Sequence, residues 1–127
     1  MQKKEVKVAT WNVKRCENQM MRRHTELLKI LIEKDARYGR VVCRCENVTE
    51  GEIVAEINGP IPAHTYDAIK RRTWLGTGRC QGGFDMPRVT AILARELGIS
   101  PLQVTKKGGE SCFLARHTKE VEVDDAL

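Results

Sequence analysis

The stretch LGTGRCQGGFDMPR, residues 75–88, constrains this chain more than any other. Four glycines fall within its first nine residues, which rules out regular structure there and forces a loop. Cys80 sits inside that loop, Asp85 follows five positions later, and Pro87 suits the first turn of a helix. A second pair of thiols, Cys43 and Cys45 in VVCRC, stands on a short extended segment just ahead of another helix start. Three thiols therefore lie at connections rather than inside helices. The two helices that follow aim their free backbone N–H groups and the positive ends of their dipoles at one region, a setting for thiolates or an anionic cluster. Arg44 and Arg79 each neighbour a thiol and offset negative charge, and Gly76, Gly78, Gly82 and Gly83 let backbone amides approach sulfur.

The flanking helices carry their own start and stop signals. Met20, His24, Leu27, Leu28, Leu31 and Ile32 recur at helical spacing between Met20 and Lys34, and the RYGR of residues 37–40 ends that helix. Thr49 and Glu52 form a capping-box pattern, Ile53, Val54 and Ile57 supply an apolar face, and Asn58-Gly59-Pro60 stops the helix. The next helix runs from about Thr65 to Thr73, capped by Thr65 and burying Tyr66, Ile69 and Trp74. After Pro87, Val89, Ile92, Leu93 and Leu97 make one stripe that ends at Gly98. Ser100 caps a short further turn, SCFLARHT reads as a terminal strand in which Cys112 is a buried structural thiol, and EVEVDDAL as a frayed acidic tail. Ahead of the first helix, Val6, Val8 and Trp11 alternate weakly, and Cys16 is read as a free thiol.

Size limits what such elements can build. A chain of 127 residues with 5% aromatics supports one lean core, for which a metal, disulfide or partner is a useful staple. Five cysteines are an odd count and a poor disulfide framework, so the thiols are expected reduced or metal-bound. No apolar run reaches a membrane-spanning length of about 18 residues and the N-terminus lacks a signal-peptide stretch, from which a cytoplasmic location is expected. The net charge of +5 is spread over mixed signs. Lys70-Arg71-Arg72 closes a short helix where cations are favourable anyway, and no base-reading side chains accompany it, so nucleic-acid binding is not expected. His24, His64 and His117 are scattered, no nucleophile–base arrangement stands out, and the chain is not expected to be catalytic alone.

The spacing C-x-C, 34 residues, C-x4-D fits the C-x2-C knuckle of structural zinc poorly, and thiolates drawn from separate loops suit a two-iron cluster better. Residues from about Tyr38 to Thr118 resemble the bacterioferritin-associated ferredoxin-like (BFD-like) 2Fe-2S domain. That domain closes anaerobic-type, FAD-dependent glycerol-3-phosphate dehydrogenases and related amino-acid and opine oxidoreductases. The resemblance is carried by YGRVVCRCENVTEGEIVAEI, by PIPAHTYDAIKRRTWLGTGRCQGGF, by PRVTAILARELGISPLQVTKKGG and by LARHTKE. It implies a mostly α fold, a small helical domain with a helix-turn-helix core and short extended end segments. The corresponding division is an N-terminal linker and amphipathic helix over 1–37, the domain over 38–118 and an acidic tail over 119–127. It further implies Cys43, Cys45 and Cys80 as cluster ligands, with a fourth cysteine at the position that Asp85 occupies here. FAD would then belong to a partner flavoprotein chain or domain, since no G-x-G-x-x-G occurs in this sequence.

Asp85 thus has two readings, an oxygen ligand to iron or an N-cap for the Pro87 helix, and Cys112 is the alternative fourth donor. The function expected is one-electron relay as a domain or small subunit of a flavin-dependent dehydrogenase. The alternatives are a docking or assembly module that has lost its cluster, and a zinc-stabilised regulatory domain.

Overall fold

The structure, a computed structural model, describes residues 25–117. The Val6–Trp11 alternation, Cys16, the start of the helix expected from Met20, and the acidic tail lie outside the described residues. The fold is mostly α: helices α1 (Thr25–Lys34), α2 (Glu50–Ile57), α3 (Tyr66–Thr73) and α4 (Met86–Leu97), two short 3-10 turns (Ala36–Gly39 and Pro101–Gln103), and a two-stranded hairpin, β1 (Val41–Cys43) and β2 (Val48–Thr49).

Each of the last three helices begins where a local sequence signal places it. Thr49 accepts from the Glu52 amide at 3.3 Å while the Glu52 carboxylate accepts from the Thr49 amide at 2.9 Å, closing the capping box. Thr65 accepts from the Ala68 amide at 3.2 Å to open α3. Pro87 occupies the first turn of α4, and Gly98, at φ 65°, ends it in the left-handed conformation a glycine enters without strain. Ser100 caps the Pro101–Gln103 turn as its sequence indicates.

The core sits among the hairpin, α2, α3 and α4, with Val48, Ile53, Ile69, Leu75, Val89 and Leu93 fully enclosed. Each such side chain contributes about 1.5–3 kcal/mol by leaving water. Two expectations fail here. Trp74 is exposed because it is the C-cap of α3, at φ 68°, and this reversal swings the indole outward while delivering Leu75 to the core instead. SCFLARHT forms no strand beyond a single bridge between Thr105 and Cys112, and Cys112 is exposed. Phe113 alone of that segment packs inward, edge-on to the Tyr66 ring at 5.4 Å. Helix α1 keeps Leu27, Ile30 and Ile32 exposed and meets the rest through the Ala36–Gly39 turn, whose Tyr38 ring lies on Gly51.

A buried acid ties the start of α2 to α4. Glu50, first residue of α2, is enclosed yet surrounded by guanidinium groups: Arg95 at 2.8 Å, Arg40 at 3.5 Å and Arg88 at 3.7 Å. Burial by itself would raise the Glu50 carboxyl, but Arg95 and then Arg40 outweigh it and hold the group below the ordinary carboxylate range. Arg88 belongs to the first turn of α4 and Arg95 to its last, so this network ties the start of α2 along α4. Each of these two helices begins where a cysteine-bearing connection ends.

Candidate metal centre

Two loops meet under those helix ends. The first is the turn from Arg44 to Asn47 between β1 and β2, which carries Cys43 at the end of β1 and Cys45 in the turn itself. The second is the glycine-rich loop from Leu75 to Asp85 between α3 and α4. Both contain non-glycine residues at positive φ, Asn47 at 55° and Gln81 at 51°. Such backbone costs energy and persists only where its surroundings enforce it. Gln81 is braced by its own side-chain amide, which donates to the carbonyls of Thr77 at 2.9 Å and Gly78 at 2.8 Å.

The loops are pressed together at Gly78. A Cβ on that residue would collide with Cys45 Cβ and lie 2.9 Å from Glu46 Oε1, so the absence of a side chain is what lets the second loop reach the first. The Cys45 and Cys80 side chains interact with each other across this contact, and Cys43 interacts with the Asp85 carboxyl. Of the four residues singled out from the sequence, Cys45 thus meets Cys80, and the Asp85 carboxyl acts on both Cys43 and Cys80. Among the described residues no three acidic, histidine or cysteine side chains converge on a single point of the kind one ion occupies.

The sulfurs lie in different environments. Backbone amides of Phe84 and Gly82, and then the Cys45 side chain, hold the Cys80 thiol below the ordinary thiol range. Burial raises Cys43, opposed by the amides of Gly76 and Glu46 and assisted by Asp85. Cys45 is exposed and Cys43 buried. The lowered thiol is the one with more thiolate at neutral pH, so in the metal-free chain Cys80 is expected to react first with iodoacetamide and Cys43 last. A mass-spectrometric time course of alkylation at pH 7 in the presence of a chelator checks this order; fastest labelling at Cys43 contradicts it.

Asp85 departs from the capping expectation. It occupies the residue before α4, but its backbone is helical (φ −92°, ψ −20°) and its side chain makes no cap hydrogen bond. The carboxyl turns inward and is enclosed. Oδ1 accepts from the Tyr66 hydroxyl at 3.0 Å, and Oδ2 is buried with no hydrogen-bond partner. An orphaned buried oxygen costs about 1–3 kcal/mol, a cost that a bound group removes. Three thiols, one free carboxyl oxygen and amide N–H groups directed at two of the sulfurs are a donor set that fits an anionic iron-sulfur centre. Cys112, the alternative fourth donor, is exposed on the C-terminal segment bridged to Thr105, whereas the Cys80 side chain meets Cys45.

Residues 41–95 match the profile of the BFD-like [2Fe-2S] binding domain. The chain carries a BFD-like domain. That match begins at β1 and ends within α4, so it contains both cysteine loops of the BFD-like domain and the helices that hold them. A glycerol 3-phosphate dehydrogenase of Caloramator mitchellensis is 52% identical over 89 residues, which are 70% of this chain and 18% of that protein. The chain therefore spans less than a fifth of the length of that relative. No solved structure matches. Among the described residues no helix is long and apolar enough to cross a membrane.

Two side chains of the BFD-like domain escaped the sequence reading. Tyr66 reads as core from its place in α3, and nothing local indicates that its hydroxyl reaches the site; the only trace is the pair of glycines at 76 and 82 that clear space for it. Phe84 projects into solvent, 67% exposed, with the Arg44 guanidinium 5.6 Å from its ring centre.

Proposed function

We propose that the BFD-like domain holds a 2Fe-2S cluster through Cys43, Cys45, Cys80 and Asp85 Oδ2, and that it acts as the one-electron relay of a flavin-dependent dehydrogenase. The observation that carries this reading is the buried Oδ2 of Asp85, without a hydrogen-bond partner, on a carboxyl that acts on Cys43 and Cys80. When bound, the cluster supplies one-electron redox chemistry. The protein's own part is to set the ligand field and the access. Amides of Gly82 and Phe84 donate toward Cys80, amides of Gly76 and Glu46 toward Cys43, and these donors stabilise negative charge on sulfur. Asp85 adds a hard oxygen that favours ferric iron.

Cys45 is exposed at the edge where Phe84 and Arg44 also face solvent, the side from which a partner's cofactor can approach. The likeness to part of a glycerol 3-phosphate dehydrogenase supports a flavoprotein partner, as a separate chain or as the remainder of a longer one, acting on glycerol 3-phosphate in the cytoplasm.

The relay is tested by reducing the anaerobically reconstituted chain stepwise with dithionite while recording visible absorption and EPR. Uptake of about one electron per chain, with a paramagnetic signal growing as the colour bleaches, is expected of a 2Fe-2S relay. A chain that stays colourless and takes up no electron is instead a cluster-free docking module.

A further inference from the structure

The phenol of Tyr66 is the least expected group at the site. Its ring is buried at the start of α3, edge-on to Phe113, and its backbone amide donates to the Thr105 carbonyl at 3.2 Å. The hydroxyl passes between Gly76 and Gly82, where a Cβ on either residue would collide with the oxygen. Both glycines hold positive φ, 72° and 84°, so the glycine-rich loop is wrapped around this one atom. Beyond them the hydroxyl donates to Asp85 Oδ1 at 3.0 Å.

A carboxyl group offers two oxygens, and which of them is free decides how it can bind a metal. With Oδ1 taken by Tyr66, rotation of the carboxyl is arrested and Oδ2 is the oxygen left over, buried and without a partner. A cysteine at this position would have no second atom to restrain and would need no such donor. We infer that Tyr66 is a positioning residue for the oxygen ligand: its hydroxyl fixes Asp85 so that Oδ2 alone is presented to the metal. The inference rests on the reading of Asp85 as a ligand given above.

The dependence is specific to a carboxylate, and a double-mutant cycle isolates it. Wild type, Tyr66→Phe, Asp85→Cys and the double variant Tyr66→Phe/Asp85→Cys are reconstituted anaerobically with iron and sulfide, and bound metal, EPR line shape and helical circular dichroism are recorded. Loading of Tyr66→Phe is expected to fall by about tenfold against wild type, the scale of one charge-assisted hydrogen bond, with an altered EPR signal in the fraction that remains. The double variant is expected to load like Asp85→Cys. Equal losses in both backgrounds, or loss of the folded state in both, assign Tyr66 to packing alone and overturn the inference. Unchanged loading and EPR in Tyr66→Phe overturn it while leaving Asp85 as the ligand. A wild type that binds no cluster under conditions where Asp85→Cys does removes the reading of Asp85 itself, and the inference with it.

Discussion

Asp85→Ala is expected to lose the cluster. Removing the fourth donor strips one iron of a ligand, and the loss in loading should exceed the roughly 10–100-fold that deleting a mere hydrogen-bond partner of a metal ligand costs. Asp85→Cys should load at least as well as wild type, with stronger sulfur-to-iron absorption and a higher midpoint potential. The sign follows from ligand hardness: an anionic oxygen stabilises ferric iron more than thiolate does, so exchanging it for sulfur makes reduction easier. Iron and sulfide assays together with a spectroscopic redox titration read both effects. If Asp85→Ala loads normally, the enclosed carboxyl with its orphaned Oδ2 needs another explanation.

Gly78→Ala is expected to be nearly as damaging although it changes no donor. The new methyl would strike Cys45 Cβ and sit 3.4 Å from its sulfur, and neither can yield without moving the turn that carries Cys45 away from Cys80. Metal sites tolerate displacement of about 0.5 Å at most, so loading should drop by about tenfold or more. The substitution should cost about 1–3 kcal/mol as an overpacking change, while helices α2 and α4 persist because their caps and the Glu50 network are untouched. Gly98→Ala is the control. Nothing lies within 4 Å of its added Cβ, but its φ of 65° penalises a side chain. It should therefore lower stability by about 1 kcal/mol and leave loading unchanged. Thermal unfolding beside metal analysis separates the two outcomes.

What could be read from the sequence was local. Thr49 with Glu52, Thr65, Pro87, Gly98 and Ser100 each announce a helix end through chemistry confined to one turn, and each stands where its pattern places it. The meeting of the two cysteine loops was legible for the same reason, since a helix start dictates what faces it. Asp85 shows where local reading stops. By position it is the N-cap of α4, but its side chain answers to Tyr66, nineteen positions earlier in the chain. Trp74, expected in the core, is exposed and Leu75 is buried, because one positive φ at residue 74 reverses the periodicity that α3 would continue. Cys112 has apolar neighbours in sequence, yet only Phe113 finds a ring to pack against. The β2 strand, two residues long, is too short for any alternation to register.

Where the family resemblance implies a fourth thiol, this domain carries an enclosed carboxyl hydrogen-bonded to a buried tyrosine. A domain retired to docking would gain by replacing an enclosed, half-satisfied acid with an apolar residue. The measurement that bears on this most directly is iron, acid-labile sulfide and zinc per chain in wild-type protein purified and reconstituted without oxygen. About two irons and two sulfides with negligible zinc are predicted for a 2Fe-2S centre carrying an oxygen ligand. A chain that holds one zinc, or that holds no metal while Asp85→Cys takes up a cluster, would contradict the account.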